Sequence, residues 1–450
     1  MIHKFEQNGV YIVLDINSGA VHVVDEMLYE ILDYYPENSL EETVNKLNTK
    51  YENKALKEAI MEIDELIKLE QLFCEDKYIE DLNFKTREPV VKAMCLHIAH
   101  DCDLRCKYCF ASQGDFKGDR SLMSYEVGQK ALDFLIEKSG SRRNLEVDFF
   151  GGEPMMNFEV VKQLVTYGRS KEKEYKKNFR FTLTTNGMLL NDENTKYINE
   201  NMDNVVLSLD GSKEVNDNMR VKIDGSGSYD TIVPKFQKLV EGRGNKMYYV
   251  RGTFTGFNTE FAKDVIHLAD LGFKQTSIEP VVTEPHQPYA LKDSDVEVVK
   301  EQYDLLAEEM IKRKQNGNGF EFFHFTVDLS QGPCVIKRLS GCGAGSEYVA
   351  ITPEGEIYPC HQFVGDERFK MGDLTTNTYK TDLSLQFKNA HVYNKDKCKA
   401  CWAKFYCSGG CHANAFNFND DINIPYELGC DMERKRLECS IYIHAKLMSE

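Results

Sequence analysis

Between Val90 and Val281 the chain alternates short apolar, β-branched or aromatic runs with longer stretches of helical periodicity, and no other feature limits its fold as tightly. Strands are expected at Ala93 to Ile98, Leu145 to Phe150, Phe179 to Thr184, Val205 to Leu209, Met247 to Phe254 and Gln275 to Val281. Helices are expected at Tyr125 to Glu137, Phe158 to Tyr167, Tyr229 to Leu239 and Phe261 to Leu271, with a charged helix from Asp293 to Lys314 after the last strand. Repeated strand–helix units dictate a parallel sheet, because parallel neighbours are joined only by long crossovers. Six units in succession predict an α/β fold with a partial (β/α)6 barrel, whose chemistry belongs at the carboxyl ends of its strands.

The first eighty residues follow another pattern. Tyr11 to Leu14 and Val21 to Val24 flank Asn17-Ser18-Gly19 as a hairpin. Ser39 and Glu42 form a capping box, and Ala55, Ile60, Ile63 and Leu66 share one face of a helix over Ala55 to Leu69. A hairpin followed by helices predicts a winged-helix-like module over residues 1–80, in which His22 is a strand residue. The polar stretch Glu75 to Glu88 places a linker at 81–89, which leaves a core over 90–315 and a loop-rich domain over 316–450.

Composition narrows the function. A chain of 450 residues, 42% of them apolar, can bury a large core in more than one domain. Its net charge of -17 opposes any role in binding nucleic acid, which calls for clustered Lys and Arg. No apolar run is long enough for a membrane span, and the first residues lack a secretion pattern, so a cytoplasmic protein without a membrane partner is expected. In that reducing setting its 14 cysteines read as metal ligands or reactive thiols rather than disulfides.

Their spacing is specific. Cys102, Cys106 and Cys109 follow the first core strand within eight residues. Three thiolates leave one iron of a 4Fe-4S cluster open, whereas zinc would want a fourth ligand or a water. Gly151-Gly152-Glu153-Pro154 ends the next strand, where two glycines permit close backbone approach. Thr184-Thr185-Asn186-Gly187 and Ser208-Leu209-Asp210-Gly211 end the following two, with Arg220 beyond. Downstream lie Cys342, Cys360, then Cys398-x2-Cys401-x5-Cys407-x3-Cys411, and Cys430. A zinc ribbon on Cys398, Cys401, Cys407 and Cys411 would leave Cys342, Cys360 and Cys430 without a role. Cys74, Cys95 and Cys439 are assigned to core or surface.

Together these motifs resemble the radical S-adenosylmethionine enzymes with a SPASM extension, and the whole chain is similar to the thioether-forming maturases of six-cysteine (SCIFF) peptides. The resemblance implies three 4Fe-4S clusters and S-adenosylmethionine as cofactors. Cys102, Cys106 and Cys109 would hold the radical-generating cluster. Tyr108, Gly151, Gly152, Glu153, Pro154, Ser208 and Arg220 would contact S-adenosylmethionine, with no catalytic residue beyond these sites. Cys398, Cys401, Cys407 and Cys430 would complete one auxiliary cluster. Cys342, Cys360 and Cys411 would serve another, open to a substrate thiolate unless Cys334 fills it. The implied reaction joins a Cys sulfur to the alpha carbon of an acceptor such as Thr in a Cys-rich ribosomal precursor peptide, a sactionine-type thioether. The implied partners are that peptide, its leader added as a strand to residues 1–80, and an electron donor such as flavodoxin or ferredoxin. Carrying no cluster ligand, the amino-terminal module is expected to be removable without loss of cofactor cleavage. Two other readings stand beside this one: a sulfatase-type maturase that oxidises Cys or Ser to formylglycine, and a zinc-stabilised peptide-binding protein with no catalysis.

Overall fold

The hairpin near the amino terminus forms as its pattern dictates, and it gains a third strand. In the computed structural model, which describes residues 1–80, 88–329 and 335–448, β1 (Ile2–Gln7), β2 (Val10–Asp15) and β3 (Val21–Val24) make an antiparallel sheet in that order. β1 escapes the sequence pattern because His3, Lys4 and Glu6 interrupt its apolar character. The Ser39–Glu42 capping box is present and opens the helix Leu40–Leu47. The following helix, Asn53–Lys68, buries Leu56, Ala59, Ile60 and Ile63, so Leu56 and Ala59 take the inner positions expected of Ala55 and Leu66.

Period-two alternation places this small sheet between two cores. Val13 packs with Ile31, Leu56 and Ile60 of the module, while its neighbours Ile12 and Leu14 join the main core of the protein. Other contacts tie the module to the carboxyl-terminal region. His3 stacks on Trp402 with ring centroids 3.7 Å apart and bonds Glu438 at 2.9 Å. Asp76 accepts hydrogen bonds from Lys404 at 2.8 Å and Tyr393 at 2.7 Å, and Tyr78 packs edge-on against Phe405. Residues 81–87 of the expected linker lie outside the described residues.

The expected core strands follow as β4 (Ala93–Ala99), β5 (Asn144–Gly151), β6 (Asn178–Thr185), β7 (Asn204–Ser208), β8 (Met247–Phe254) and β9 (Gln275–Pro280). They pair in parallel in sequential order, the arrangement of a partial (β/α)6 barrel. Phe149, Phe179, Phe181, Leu207 and Val250 fill the core against helices that include Tyr125–Lys138, Phe158–Tyr175 and Tyr229–Glu241. The sheet also extends beyond the six. β10 (Glu321–Phe322) adds to β9, and β11 (Tyr348–Ile351) pairs in parallel with β4, Tyr348 opposite Ala93. β12 (Glu356–Tyr358), β13 (Gly372–Asp373) and β14 (Thr378–Tyr379) continue antiparallel from β11. The cysteine-rich region is therefore hydrogen-bonded into the core sheet, at the strand that precedes the Cys102 loop. A closing helix, Glu427–Met448, packs along the helix Val296–Gln315. Among the described residues no helix is long and apolar enough to cross a membrane.

Candidate functional site

β4 ends at Ala99 and delivers the loop of Cys102, Cys106 and Cys109 to the carboxyl end of the sheet. Backbone bonds fix this loop from two sides. Arg105 N–H donates to Val221 and Lys107 N–H to Met219, at 2.8 and 2.9 Å. Gly152 N–H donates to Ala99 and Glu153 N–H to Asp101, both at 2.8 Å. The glycine pair is needed for that second contact. A side chain on Gly151, whose φ is +120°, would start 2.3 Å from the Ala99 carbonyl oxygen, and one on Gly152 only 2.1 Å from that of Asp101.

The strand-end motifs interlock behind the loop. Glu153 is 1% exposed, and its carboxylate accepts from Thr185 Oγ1 at 2.9 Å, Met155 N at 3.0 Å and Asn186 N at 2.7 Å. Burial raises it to about 7 against the help of those donors. Its oxygens brace the turn after β6. Asn186 in turn donates to Asp103 at 2.7 Å and to Cys102 Sγ at 3.6 Å. Tyr108 hydroxyl sits 2.7–2.8 Å from both Asp210 oxygens and accepts from Arg220 Nη1 at 2.9 Å. Asp210 is fully buried, and that burial raises its carboxyl to about 6 although Arg220 opposes it.

One cavity of about 360 Å³ collects these parts. Its lining includes Cys102, Cys106, Tyr108, Cys109, Gly151, Gly152, Glu153, Pro154, Ser208 and Arg220, every residue assigned above to the radical cluster and S-adenosylmethionine. Two observations fit such a load. Among the described residues Arg220 Nε is buried without a hydrogen-bond partner, as a guanidinium edge awaiting an anion would be. Burial also raises the Cys102 thiol strongly and the Cys106 thiol to about 11, so ionising them in place calls for a bound cation.

The later thiols form two further groups. Cys398, Cys401, Cys407 and Cys430 surround a small cavity of about 50 Å³. Cys342, Cys360 and Cys411 interact with one another electrostatically. Cys334 lies outside the described residues. Cys411 thus parts from the three thiols with which a zinc ribbon would place it. Among the described residues no three His, Cys, Asp or Glu side chains are gathered to hold a single metal ion. A tetrahedral zinc would need its sulfurs about 3.8 Å apart. Cys411, with His361, Gln362 and Asn414, also lines the large cavity.

Sequence reasoning missed the polar floor of that cavity. Arg251 of β8 and Glu279 of β9 line it and pair at 3.0 Å. Burial would raise Glu279, but Arg251 prevails and holds it near about 2. Behind them His324 contacts Ser277 at 3.2 Å and Arg436 of the closing helix at 3.0 Å. Burial lowers His324 to about 3. A charged residue near the carboxyl end of a core strand was the available signal for Arg251 and Glu279.

Comparison with known proteins agrees with this geometry. Residues 86–233 match a 4Fe-4S single cluster domain and residues 342–402 the SPASM iron-sulfur cluster-binding domain. A cysteine-type anaerobic sulfatase-maturating enzyme of Clostridium novyi (strain NT) is 25% identical over 333 residues, covering 70% of this chain and 86% of that protein. The structure of native anSMEcpe with bound AdoMet and Cp18Cys peptide superimposes with a TM-score of 0.64 at 20% identity, over 79% of this chain and 98% of that one. Streptococcus suis SuiB bound to precursor peptide SuiA gives a TM-score of 0.54 at 17% identity, over 92% of this chain and 95% of that one. At these identities the two structures establish a shared fold.

Proposed function

We propose that this chain is a radical S-adenosylmethionine enzyme of the SPASM-domain branch and that it forms a thioether between a Cys sulfur and the alpha carbon of an acceptor residue, such as Thr, in a ribosomally made, Cys-rich peptide; the matches to the 4Fe-4S single cluster and SPASM domains support this reading. The observation that carries this reading is the shared cavity. The Cys102–Cys109 loop and Cys411 line the same cavity, so a bound peptide segment could reach both. When bound, the cluster and S-adenosylmethionine supply reductive cleavage of the sulfonium bond and a 5'-deoxyadenosyl radical able to take hydrogen from carbon. The chain's own residues bind and orient. Arg220 offers a free guanidinium edge to a carboxylate, Ser208 a hydroxyl at the end of β7, and the Arg251–Glu279 pair a charged floor for peptide backbone. In the overall change the peptide gives up two hydrogens: one as an atom to 5'-deoxyadenosine, the other as a proton and an electron as sulfur and carbon join. Residues 1–80 offer the β3 edge to a leader strand, and the match to a peptide-bound protein over 92% of this chain supports that role.

A second reading, formylglycine formation, has the sulfatase-maturating relative in its favour. Anaerobically reconstituted protein with S-adenosylmethionine, a reductant and a Cys-rich precursor peptide separates the two. Thioether formation leaves the sulfur in a peptide lighter by two hydrogens, with one thiol lost to alkylation and the acceptor's alpha deuterium carried into 5'-deoxyadenosine. Formylglycine removes the sulfur and creates an aldehyde that hydrazides capture. An aldehyde product would overturn the thioether reading.

A further inference from the structure

Lys395 stands immediately before the short helix Asp396–Lys399 that carries Cys398, and it is 1% exposed. Its ammonium donates to one acceptor, the Gly409 carbonyl, at 2.8 Å, and among the described residues it has no carboxylate partner. Other buried cations are better served. Lys404 pairs with Asp76, and Lys177, which among the described residues also lacks a carboxylate, reaches the carbonyls of both Gly140 and Arg142. Stripping a cation of water costs more than one bond to a neutral carbonyl returns, so another source of negative potential must offset the burial.

The groups that face Lys395 identify that source. They are Cys398, Cys407 and Cys430 of the four-thiol group and Cys411 of the other. His412, which Lys395 also faces, is lowered to about 4 by burial and by Lys395. Gly409, the one acceptor, lies between Cys407 and Cys411, on the segment that joins the two groups, with φ of +91°. The ammonium is therefore anchored on the segment that runs from a thiol of one group to a thiol of the other, a place that matches a pair of thiolate-ligated, net anionic clusters.

We propose that Lys395 is the shared counter-charge of two auxiliary iron-sulfur clusters, a positioning residue that raises their reduction potentials and so favours electron transfer to them. This rests on the functional reading above, in which closing the sulfur–carbon bond oxidises the substrate radical by one electron. That electron reduces one auxiliary cluster from the 2+ to the 1+ state, and a cation held beside it stabilises the more negative product.

The test uses the full chain, anaerobically reconstituted, with Lys395→Met and Lys395→Arg. Iron content and EPR-monitored potentiometric titration are read without peptide, so the outcome does not depend on which product the enzyme makes. Lys395→Met should lower an auxiliary midpoint by about 59 mV, a tenfold fall in its reduction equilibrium constant. Lys395→Arg should stay with the wild type, and the couple of the Cys102 loop should not move in either. Unchanged midpoints in a fully loaded Met variant overturn the proposal. Should the Met variant lose auxiliary iron, full loading of the Arg variant supports the counter-charge, and equal loss in both overturns it in favour of side-chain packing. Wild-type protein with about four irons instead of about twelve would remove the auxiliary clusters themselves, and with them the functional reading.

Discussion

Replacing Arg220 with methionine should weaken S-adenosylmethionine binding while leaving the cluster loop in place. Arg220 is buried, and one part of its guanidinium is committed: Nη1 donates to Tyr108 at 2.9 Å and lies 3.9 Å from Asp210. Among the described residues Nε has no partner, and the residue lines the cavity, so the variant removes one charge-assisted bond that only a ligand can accept. Such bonds contribute about 1.5–3 kcal/mol. That corresponds to a rise of about 10- to 150-fold in Kd. Tyr108 keeps both Asp210 contacts and so holds the loop, and iron content should match the wild type. Anaerobic equilibrium dialysis with labelled S-adenosylmethionine measures the Kd, and iron analysis guards against a collapsed loop. Arg220→Lys should fall between the two, because it keeps the charge without the planar fork. A fully loaded Met variant within twofold of wild-type affinity would refute the assignment of that edge to the cofactor.

Gly152→Ala should empty the Cys102 loop of iron, since a methyl starting 2.1 Å from the Asp101 carbonyl oxygen must displace backbone rather than a side chain; normal iron and 5'-deoxyadenosine yield would contradict this. Deleting residues 1–77 should lower iron at Cys398, Cys401, Cys407 and Cys430, not merely peptide affinity. It uncovers Trp402 and strands Lys404, 6% exposed, without Asp76, a loss of about 3–5 kcal/mol for a broken buried pair. Iron at the wild-type level in the truncated chain would show the module to be separable after all.

The expectation that the module could be removed without loss of cofactor cleavage is a local reading, made with no access to distant partners. Sequence periodicity reports which face of an element is apolar, and it located β4 to β9 to within about a residue at most ends, because each strand is five to eight residues long and buried by helices on the way. It cannot report pairing between segments far apart, and strands of two to four residues escape it unless a turn ties them to a neighbour, as at β3. That is why β10 to β14 were absent from the expectation, although β11 seats the cysteine-rich region on β4. The helices Asp192–Asn201 and Lys213–Met219 went unnoticed for a related reason: both are polar, and they carry too few apolar residues to show a face.

The candidate site divides along the same line. Cys102, Cys106 and Cys109, the Gly151–Pro154 turn and the later thiols are legible because a chelating loop or a tight backbone approach demands particular residues at fixed, short spacings. Arg251, Glu279, His324, Arg436 and Lys395 carry no such mark, since the meaning of each lies in a partner elsewhere. Arg436 reaches His324 across 112 positions of sequence, and Lys395 is unusual only once the thiols around it are known. What the motifs specify is the chemistry that can be started. What the long-range contacts specify is where the peptide and its surplus electron can go, so substitutions in the second set should alter product and potential while sparing the iron of the Cys102 loop.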